Sequence, residues 1–176
     1  MIQSCYSSFS ELEVAASDAL LELSRMLLRI GEPEEVLGYF LNSILPLFHG
    51  RAYAACYRAD SGDVLRYFQV GPNEDSWFDE NVRIGEEVCL GSVPCGLALE
   101  SDKFVQKKLN RSLILEGPIK QRDNTIFAIS ILLSGDCASE IASLASETMK
   151  RAAGIIEGFL GMRSRLAEKI DRDNGR

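Results

Sequence analysis

The stretch SLILEGPIKQRDNTIFAISILL, residues 112–133, contains the clearest strand pattern in the chain. Two mainly apolar segments, 112–120 and 125–133, are separated by the polar link Gln121-Arg122-Asp123-Asn124. Two strand-like segments joined by a short polar turn predict a β-hairpin. Because a hairpin pairs its strands in opposite directions, this stretch predicts an antiparallel sheet at the centre of the fold.

A second hairpin is predicted earlier in the chain. Residues 52–59 and 64–70 have strand character, and Asp60-Ser61-Gly62-Asp63 between them is composed of residues that favour turns. The following segment, 71–111, mixes short apolar pieces with glycines and is predicted to be largely irregular.

Helical segments flank the two hairpins. Apolar residues recur at spacings of three and four over 10–30, 33–48 and 138–170. Gly31 is predicted to end the first helix, and Pro33 suits the first turn of the second. The order helix, helix, hairpin, irregular middle, hairpin, long helix predicts an α+β fold.

Composition indicates one globular domain. The chain has 176 residues, 46% hydrophobic and 26% charged, with a formal net charge of −7. An acidic surface repels phosphate backbones, so we expect no direct nucleic-acid partner. No apolar run approaches the roughly 20 residues of a membrane helix, and the N-terminus is unlike a secretory signal. We therefore predict a cytoplasmic location, with no membrane partner. The predicted divisions are a flexible N-terminus (1–9), a single domain (10–170) and a polar tail (171–176).

The cysteines predict neither disulfides nor a metal site. The chain has five cysteines, an odd number, and a domain of this size does not need disulfides for stability. Cys89 and Cys95 have no second close pair, and the only histidine, His49, precedes Gly50 at a predicted helix end. Zinc sites require four close nitrogen or sulfur ligands. We therefore interpret these two cysteines as small buried apolar residues and predict no metal.

The order of elements resembles that of GAF domains, the small-ligand sensor modules of signalling proteins. Three stretches carry the resemblance: 52–70 as the first hairpin, GSVPCGLALESDKFV (91–105) as the Gly-x-x-Gly segment, and 112–133 as the late hairpin. The resemblance covers about 10–165. It implies a GAF-like central antiparallel sheet, with the N- and C-terminal helices on one face and a ligand cavity on the other.

The resemblance leaves an enzymatic alternative open. Some enzymes of this fold reduce free methionine sulfoxide with a cysteine near this segment, and Val93-Pro94-Cys95-Gly96 is similar to a short piece of their motif. The second cysteine region of those enzymes has no match, because 102–136 contains no cysteine. We therefore favour a non-enzymatic sensor over a cysteine-dependent reductase.

The ligand of the expected cavity, and any cofactor, cannot be identified from the sequence. The irregular middle is expected to form a lid that holds the only tryptophan. The predicted lining residues come from the lid, the Gly-x-x-Gly region and the sheet: Tyr53, Phe68, Trp77, Phe78, Cys89, Cys95, Leu97 and Phe127.

Heptad-like spacing in the terminal helices predicts a homodimer. Both helices look longer than the sheet requires, and exposed seams pair with copies of themselves. The predicted interface residues are Leu23, Met26, Ile30, Ile155, Phe159, Met162 and Leu166. The sensor would pass its state to a downstream signalling protein or output domain. A purely structural dimerisation module is the third alternative.

Overall fold

The computed structural model describes residues 8–58, 64–70, 87–89, 95, 98, 101–109, 112–122, 124–134 and 136–174. The three described helices are α1 (Phe9–Ile30), α2 (Pro33–Ile44) and α3 (Ser139–Asn174). The described strands are β1 (Gly50–Arg58), β2 (Val64–Val70), β3 (Glu87–Cys89), β4 (Val105–Leu109), β5 (Ser112–Gln121) and β6 (Asn124–Ser134).

The described strands form one six-stranded antiparallel sheet. Their order is β3-β2-β1-β6-β5-β4, so β4 lies at one edge. Both predicted hairpins are present, as β1–β2 and β5–β6, and the two hairpins join through β1 and β6. The predicted α+β fold with a central antiparallel sheet is confirmed.

Helices α2 and α3 pack on one face of the sheet, which we call the helix face, and α1 packs against both of these helices. Alternate residues of each strand point to opposite faces. Tyr53 and Ala55 of β1, Leu115 and Ile119 of β5, and Phe127, Ile129, Ile131 and Leu133 of β6 belong to the helix-face core. The helices complete it with Leu23, Leu37, Leu41, Ile44 and Met149, which are at most 1% exposed.

Local chemistry sets both ends of the first helix, which begins at Phe9, one residue before the predicted start, and ends at Ile30 as predicted. Ser8 caps α1 by accepting the Glu11 N–H at 3.3 Å. Gly31 ends it with φ 81°, and its N–H donates to the Leu27 carbonyl at 3.0 Å. The predicted end of α2 was wrong, because α2 stops at Ile44 rather than 48. Pro46 has no N–H to continue the helical hydrogen bonds.

The long helix α3 is fastened to the end of β5. Glu157 accepts the Lys120 N–H at 2.7 Å, Gln121 Nε2 donates to Ser164 Oγ at 2.7 Å, and Arg122 pairs with Glu168. Since Arg122 lies at the β5–β6 turn, the residues of α3 after Glu168 extend beyond that end of the sheet. The helix continues to Asn174, four residues past the predicted boundary at 170. None of the described helices combines the length and the hydrophobicity needed to span a membrane.

Candidate functional site

The sheet face away from the helices, which we call the opposite face, carries small side chains at its centre. These are Ala54 and Cys56 of β1 and Ala128 and Ser130 of β6, all 0% exposed. Glu116 of β5 lies beside them and is 3% exposed. Among the residues that the structure describes, Glu116 is the one buried side chain that carries a formal charge.

Hydrogen bonds from two directions satisfy the Glu116 carboxylate. The Cys95 N–H donates to Oε1 at 3.0 Å and the Ala98 N–H donates to Oε2 at 3.2 Å. Ser130 Oγ donates to Oε1 at 3.3 Å from the neighbouring strand. A buried carboxylate is costly without such partners, and bonds to a charged acceptor are stronger than neutral ones. Glu116 therefore joins the Cys95 region to the sheet.

A second carboxylate fastens the same segment further along. Asp102 accepts Lys120 Nζ at 2.6 Å and also accepts Thr125 Oγ1. Within this part of the chain the structure describes Cys95, Ala98, Ser101 and Asp102, and we call these four residues the strap. Cys95 and Asp102, the first and last strap residues, both have left-handed φ values, 73° and 56°. The strap thus turns at each end and is held there by side chains of β5 and β6.

Cys95 of the strap and the neighbouring Cys56 are buried thiols. Cys95 is 0% exposed, and its Sγ lies 3.7 Å from the Ala54 carbonyl oxygen. Burial raises the pKa of Cys95, and the neighbouring Cys56 thiol and Glu116 carboxylate raise it further. Both cysteines are free thiols. A protonated, enclosed thiol is a poor nucleophile.

Burial also raises the pKa of the partly exposed Cys137. The described residues contain no group of three or more cysteine, histidine or carboxylate side chains that could hold a metal.

The predicted lining residues divide between the two faces. Cys95 lies against the opposite face, whereas Tyr53 and Phe127 pack in the helix-face core. Strand alternation turns Tyr53 and Phe127 away from Cys95, so the three residues do not line one face as predicted, and a ligand-binding role for Tyr53 and Phe127 stays a prediction. Phe68 and Cys89 lie in β2 and β3, and their side chains are outside the described residues. Trp77, Phe78 and Leu97 also lie outside them.

Glu116 was missed by the sequence analysis. The available signal was a single carboxylate within the otherwise apolar run SLILEGPIK. A charged residue in the middle of a buried strand requires partners, and these come from a segment about twenty residues earlier in the chain.

The predicted dimer residues also divide. Leu23 is 1% exposed and belongs to the domain's own core, which corrects that assignment. Met26, Ile155 and Phe159 are partly buried against the same core. Ile30, Met162 and Leu166 are 39%, 40% and 53% exposed. The sequence analysis missed an exposed stripe on α1, formed by Val14, Leu21 and Leu28 at spacings of seven, and the exposed Ile170 of α3.

Two open cavities lie along α3 on the helix side. One of about 560 Å³ lies between β4 and the start of α3, with Lys108, Ser143 and Lys150 in its lining. The other, of about 420 Å³, is lined by Pro33 of α2, Gln121 and Arg163. Phe127 lines this second cavity, which is another indication that its side chain faces the helices.

Comparison with solved structures relates this arrangement to known folds. The GAF domain of A. aeolicus nlh2 superimposes with a TM-score of 0.63 at 14% identity, covering 86% of this chain and 99% of its own. Free methionine-R-sulfoxide reductase from Neisseria meningitidis, in complex with its substrate, gives 0.63 at 12%, covering 93% and 99%.

A third similar structure is the phycoerythrobilin-bound GAF domain from a cyanobacterial phytochrome. It gives a TM-score of 0.57 at 8% identity, covering 83% of this chain and 96% of its own. No protein-family model and no curated protein matches the sequence.

Proposed function

Because the chain has the GAF fold, we propose that it is a cytoplasmic sensor domain that binds a small molecule between the opposite face and the strap. Similar structures include a GAF domain that holds phycoerythrobilin and a reductase that holds its substrate. Ligand closure would then alter the terminal helices, which pass the state to a partner protein or output domain.

The observation that carries this proposal is the different construction of the opposite face. Its centre has alanine, cysteine and serine where the helix face has leucine and isoleucine. The strap is held over it by side-chain carboxylates at both ends, through Glu116 and Asp102. Small side chains leave room, and a cover held by a few polar contacts can move without disrupting the helix-face core.

Native mass spectrometry tests the proposal directly. Protein purified without denaturation is expected to carry an excess mass that disappears on denaturation, or to gain thermal stability from a compound in a small-molecule panel. The control is the variant Ser130→Leu, in which a larger side chain would fill the proposed binding space on the opposite face. This variant should show neither the excess mass nor the gain in thermal stability. The proposal is overturned if the wild-type protein and the control behave alike in both measurements.

We also propose that the sensor is a homodimer joined through its terminal helices. The exposed apolar stripe of α1, with Leu21 and Leu28, and the exposed side chains Met162 and Leu166 of α3 support this. A seam of apolar residues seven apart is typical of helices that pair with another helix.

Sedimentation analysis tests the dimer. The double variant Leu21→Glu/Leu28→Glu is expected to be monomeric at concentrations where the wild-type protein is dimeric, because charges at the seam oppose association. Tyr39→Glu is the matched control, since Tyr39 is an equally exposed apolar residue, at 57%, on α2. A wild-type monomer at high concentration, or dissociation caused equally by the control, would contradict the proposal.

A reductase of free methionine sulfoxide is the second candidate. The observation that favours it is the proximity of two free thiols, Cys56 and Cys95, in a fold shared with such enzymes. In that reaction the two thiols would form a disulfide while the sulfoxide becomes a thioether and its oxygen leaves as water. The buried, protonated state of Cys95 opposes this chemistry.

Thiol labelling with peptide mapping separates the two candidates. Slow modification of Cys95, unaffected by free methionine sulfoxide, together with no loss of sulfoxide in the presence of dithiothreitol, is expected for the sensor. Rapid modification of Cys95 that methionine sulfoxide blocks would establish the reductase instead.

A further inference from the structure

We propose that the cavity between β4 and the start of α3 is a second ligand site, which binds the phosphate group of a small phosphorylated molecule. The cavity has a volume of about 560 Å³, which is in the range of small-molecule sites. It lies on the helix side of the sheet. The proposal therefore goes beyond the sensor function and does not depend on a ligand at the opposite face.

The cavity lies where the edge strand of the sheet is not covered by a helix. Strand β5 packs directly against α3, whereas β4 has little direct packing against the described helices. Gln106 and Lys108, two residues apart on β4, line the cavity together. Leu113 of β5 and Ala142 of α3 line it on the side of the core. The strand and the helix thus form two walls with a gap between them.

The two lysines of the cavity have no carboxylate partner among the described residues. Lys108 forms no ion pair there, and Lys150 Nζ lies 5.9 Å from the centroid of the Phe104 ring, a contact that leaves its charge in place. The ion pairs among the described residues use other cations, namely Arg25, Lys120, Arg122, Arg151 and Arg163.

The one carboxylate in the described lining is already balanced by a cation. Glu147 lines the cavity, and its Oε1 accepts Arg151 Nε at 3.0 Å. The charges of Lys108 and Lys150 therefore remain as an excess of positive charge at the cavity. This excess occurs in a chain whose formal net charge is −7, so it marks a local preference for an anion.

Three hydroxyl groups on α3 are available to the same ligand. Ser139, Ser143 and Ser146 line the cavity, and their spacings of four and three place them on one side of the helix. They form no hydrogen bond with any described residue. Elsewhere in the described helices, several hydroxyls donate to a carbonyl of their own helix, namely those of Ser17, Ser24, Ser43 and Thr148.

A phosphate monoester matches this set of donors. It carries a charge of about −1.5 to −2 at pH 7 and has three strong acceptor oxygens. Two ammonium groups can balance that charge, and the hydroxyls can donate to the oxygens. A carboxylate has one charge and two oxygens, so it would leave donors unsatisfied. The cavity also has room for an organic group beyond the phosphate, which favours an ester over the free ion.

The partly exposed Cys137 lines the same cavity and serves as a reporter. The readout is its rate of modification by a maleimide, assigned by peptide mass, in a buffer without phosphate. Sorbitol 6-phosphate at ten times its Kd is expected to slow this rate about tenfold, because the occupied site shields the thiol. Sorbitol, or sodium chloride at equal ionic strength, should not slow it. Protection by inorganic phosphate as strong as that by sorbitol 6-phosphate would overturn the assignment to an ester.

Lysine variants test which charges bind the phosphate. Lys108→Gln and Lys150→Gln should each raise the Kd about tenfold or more, because each removes a hydrogen bond to a charged group. The matched control is Lys107→Gln, which should leave the Kd unchanged. Lys107 is equally a surface lysine of β4, but it pairs with Ile114 and shares the opposite face with it.

Two results would overturn the inference. One is a modification rate of Cys137 that sorbitol 6-phosphate does not change, and the other is a rise in Kd in Lys107→Gln as large as that in Lys108→Gln. The variant Ser130→Leu, which fills the proposed binding space on the opposite face, should keep the protection of Cys137. The two ligand proposals therefore fail separately.

Discussion

The two faces of the sheet are built in different ways. The helix face buries large aliphatic and aromatic side chains under α1, α2 and α3, and its stability comes from apolar area and close packing. The opposite face has small side chains at its centre, and its strap is held by two carboxylates. Apolar packing is distributed over many residues, whereas a few directional bonds can be broken singly. One face therefore maintains the fold, and the other is the face on which we propose that a ligand binds.

The largest expected effect comes from the helix face. Ile131→Ala removes a 0% exposed side chain from the centre of β6 and should lower the free energy of unfolding by about 2–5 kcal/mol. Urea denaturation measures it. The matched variant Leu132→Ala changes the next residue, which points to the opposite face in a small cluster with Ile114, and should cost less. Equal losses would contradict the distinction between the faces.

Adding volume on each face gives a second test. Ala55 and Ala128 are both 0% exposed and lie on the helix face and the opposite face. Ala55→Val overpacks a filled core and should cost about 1–3 kcal/mol, whereas Ala128→Val should cost under about 1 kcal/mol because the proposed cavity receives the methyl groups. Thermal unfolding compares them. A loss at Ala128 as large as that at Ala55 would mean that the opposite face is solidly packed.

The free energy of unfolding should fall at alkaline pH because the Cys95 thiol is buried against the opposite face. Burial, with the nearby Cys56 and Glu116, raises the pKa of Cys95, so the unfolded chain releases this proton at a lower pH than the folded chain. The contribution of the Cys95 thiol to the free energy of unfolding is complete below about pH 8.5, the ordinary pKa of a thiol. Above that pH it falls by up to about 1.4 kcal/mol for each further pH unit, until the pKa of Cys95 in the folded protein is reached.

Urea titrations across this range measure the slope. Cys95→Ser should remove most of it. Cys137→Ser, at a thiol that is only partly buried, should leave most of it in place. A wild-type protein whose stability does not change above pH 8.5 would argue against an enclosed Cys95.

The smallest expected effect concerns the outer surface of α3. A Cβ added at Gly154 or Gly158 would have no neighbouring atom within 4 Å. Because alanine favours a helix over glycine, each substitution by alanine should raise the free energy of unfolding by about 0.4–1 kcal/mol. Calorimetry measures the gain. A loss of stability that depends on protein concentration would instead place these glycines in the dimer contact.

Helices and strands were predictable from the sequence where the residues that begin, end or pair them lie close together in the chain. The β5–β6 hairpin includes both strands and their turn within 23 residues, and Gly31 with Pro33 separates α1 from α2 by local backbone rules. Chain order then suffices for the α+β fold, since adjacent strands usually pair.

The orientation of particular side chains was less predictable. In β1 and β6 both faces are buried, so no polar alternation shows which way Tyr53 or Phe127 points. In α1 the consecutive pairs Leu20-Leu21 and Leu27-Leu28 make two sides of the helix apolar. The apolar face predicted from residue spacing was therefore rotated about the helix axis relative to the face that is buried. Glu116 binds Cys95 across a long stretch of chain, a contact that only the folded arrangement reveals.

The edge of the sheet at β4 has a consequence for how copies of this chain meet. Its central residues Gln106, Lys107 and Lys108 are all exposed, and lysine on an outer strand discourages another strand from pairing there. Growth of the sheet from molecule to molecule is therefore disfavoured at that margin. In the proposed homodimer, contacts between helix side chains would close into a finite pair instead of extending into fibres.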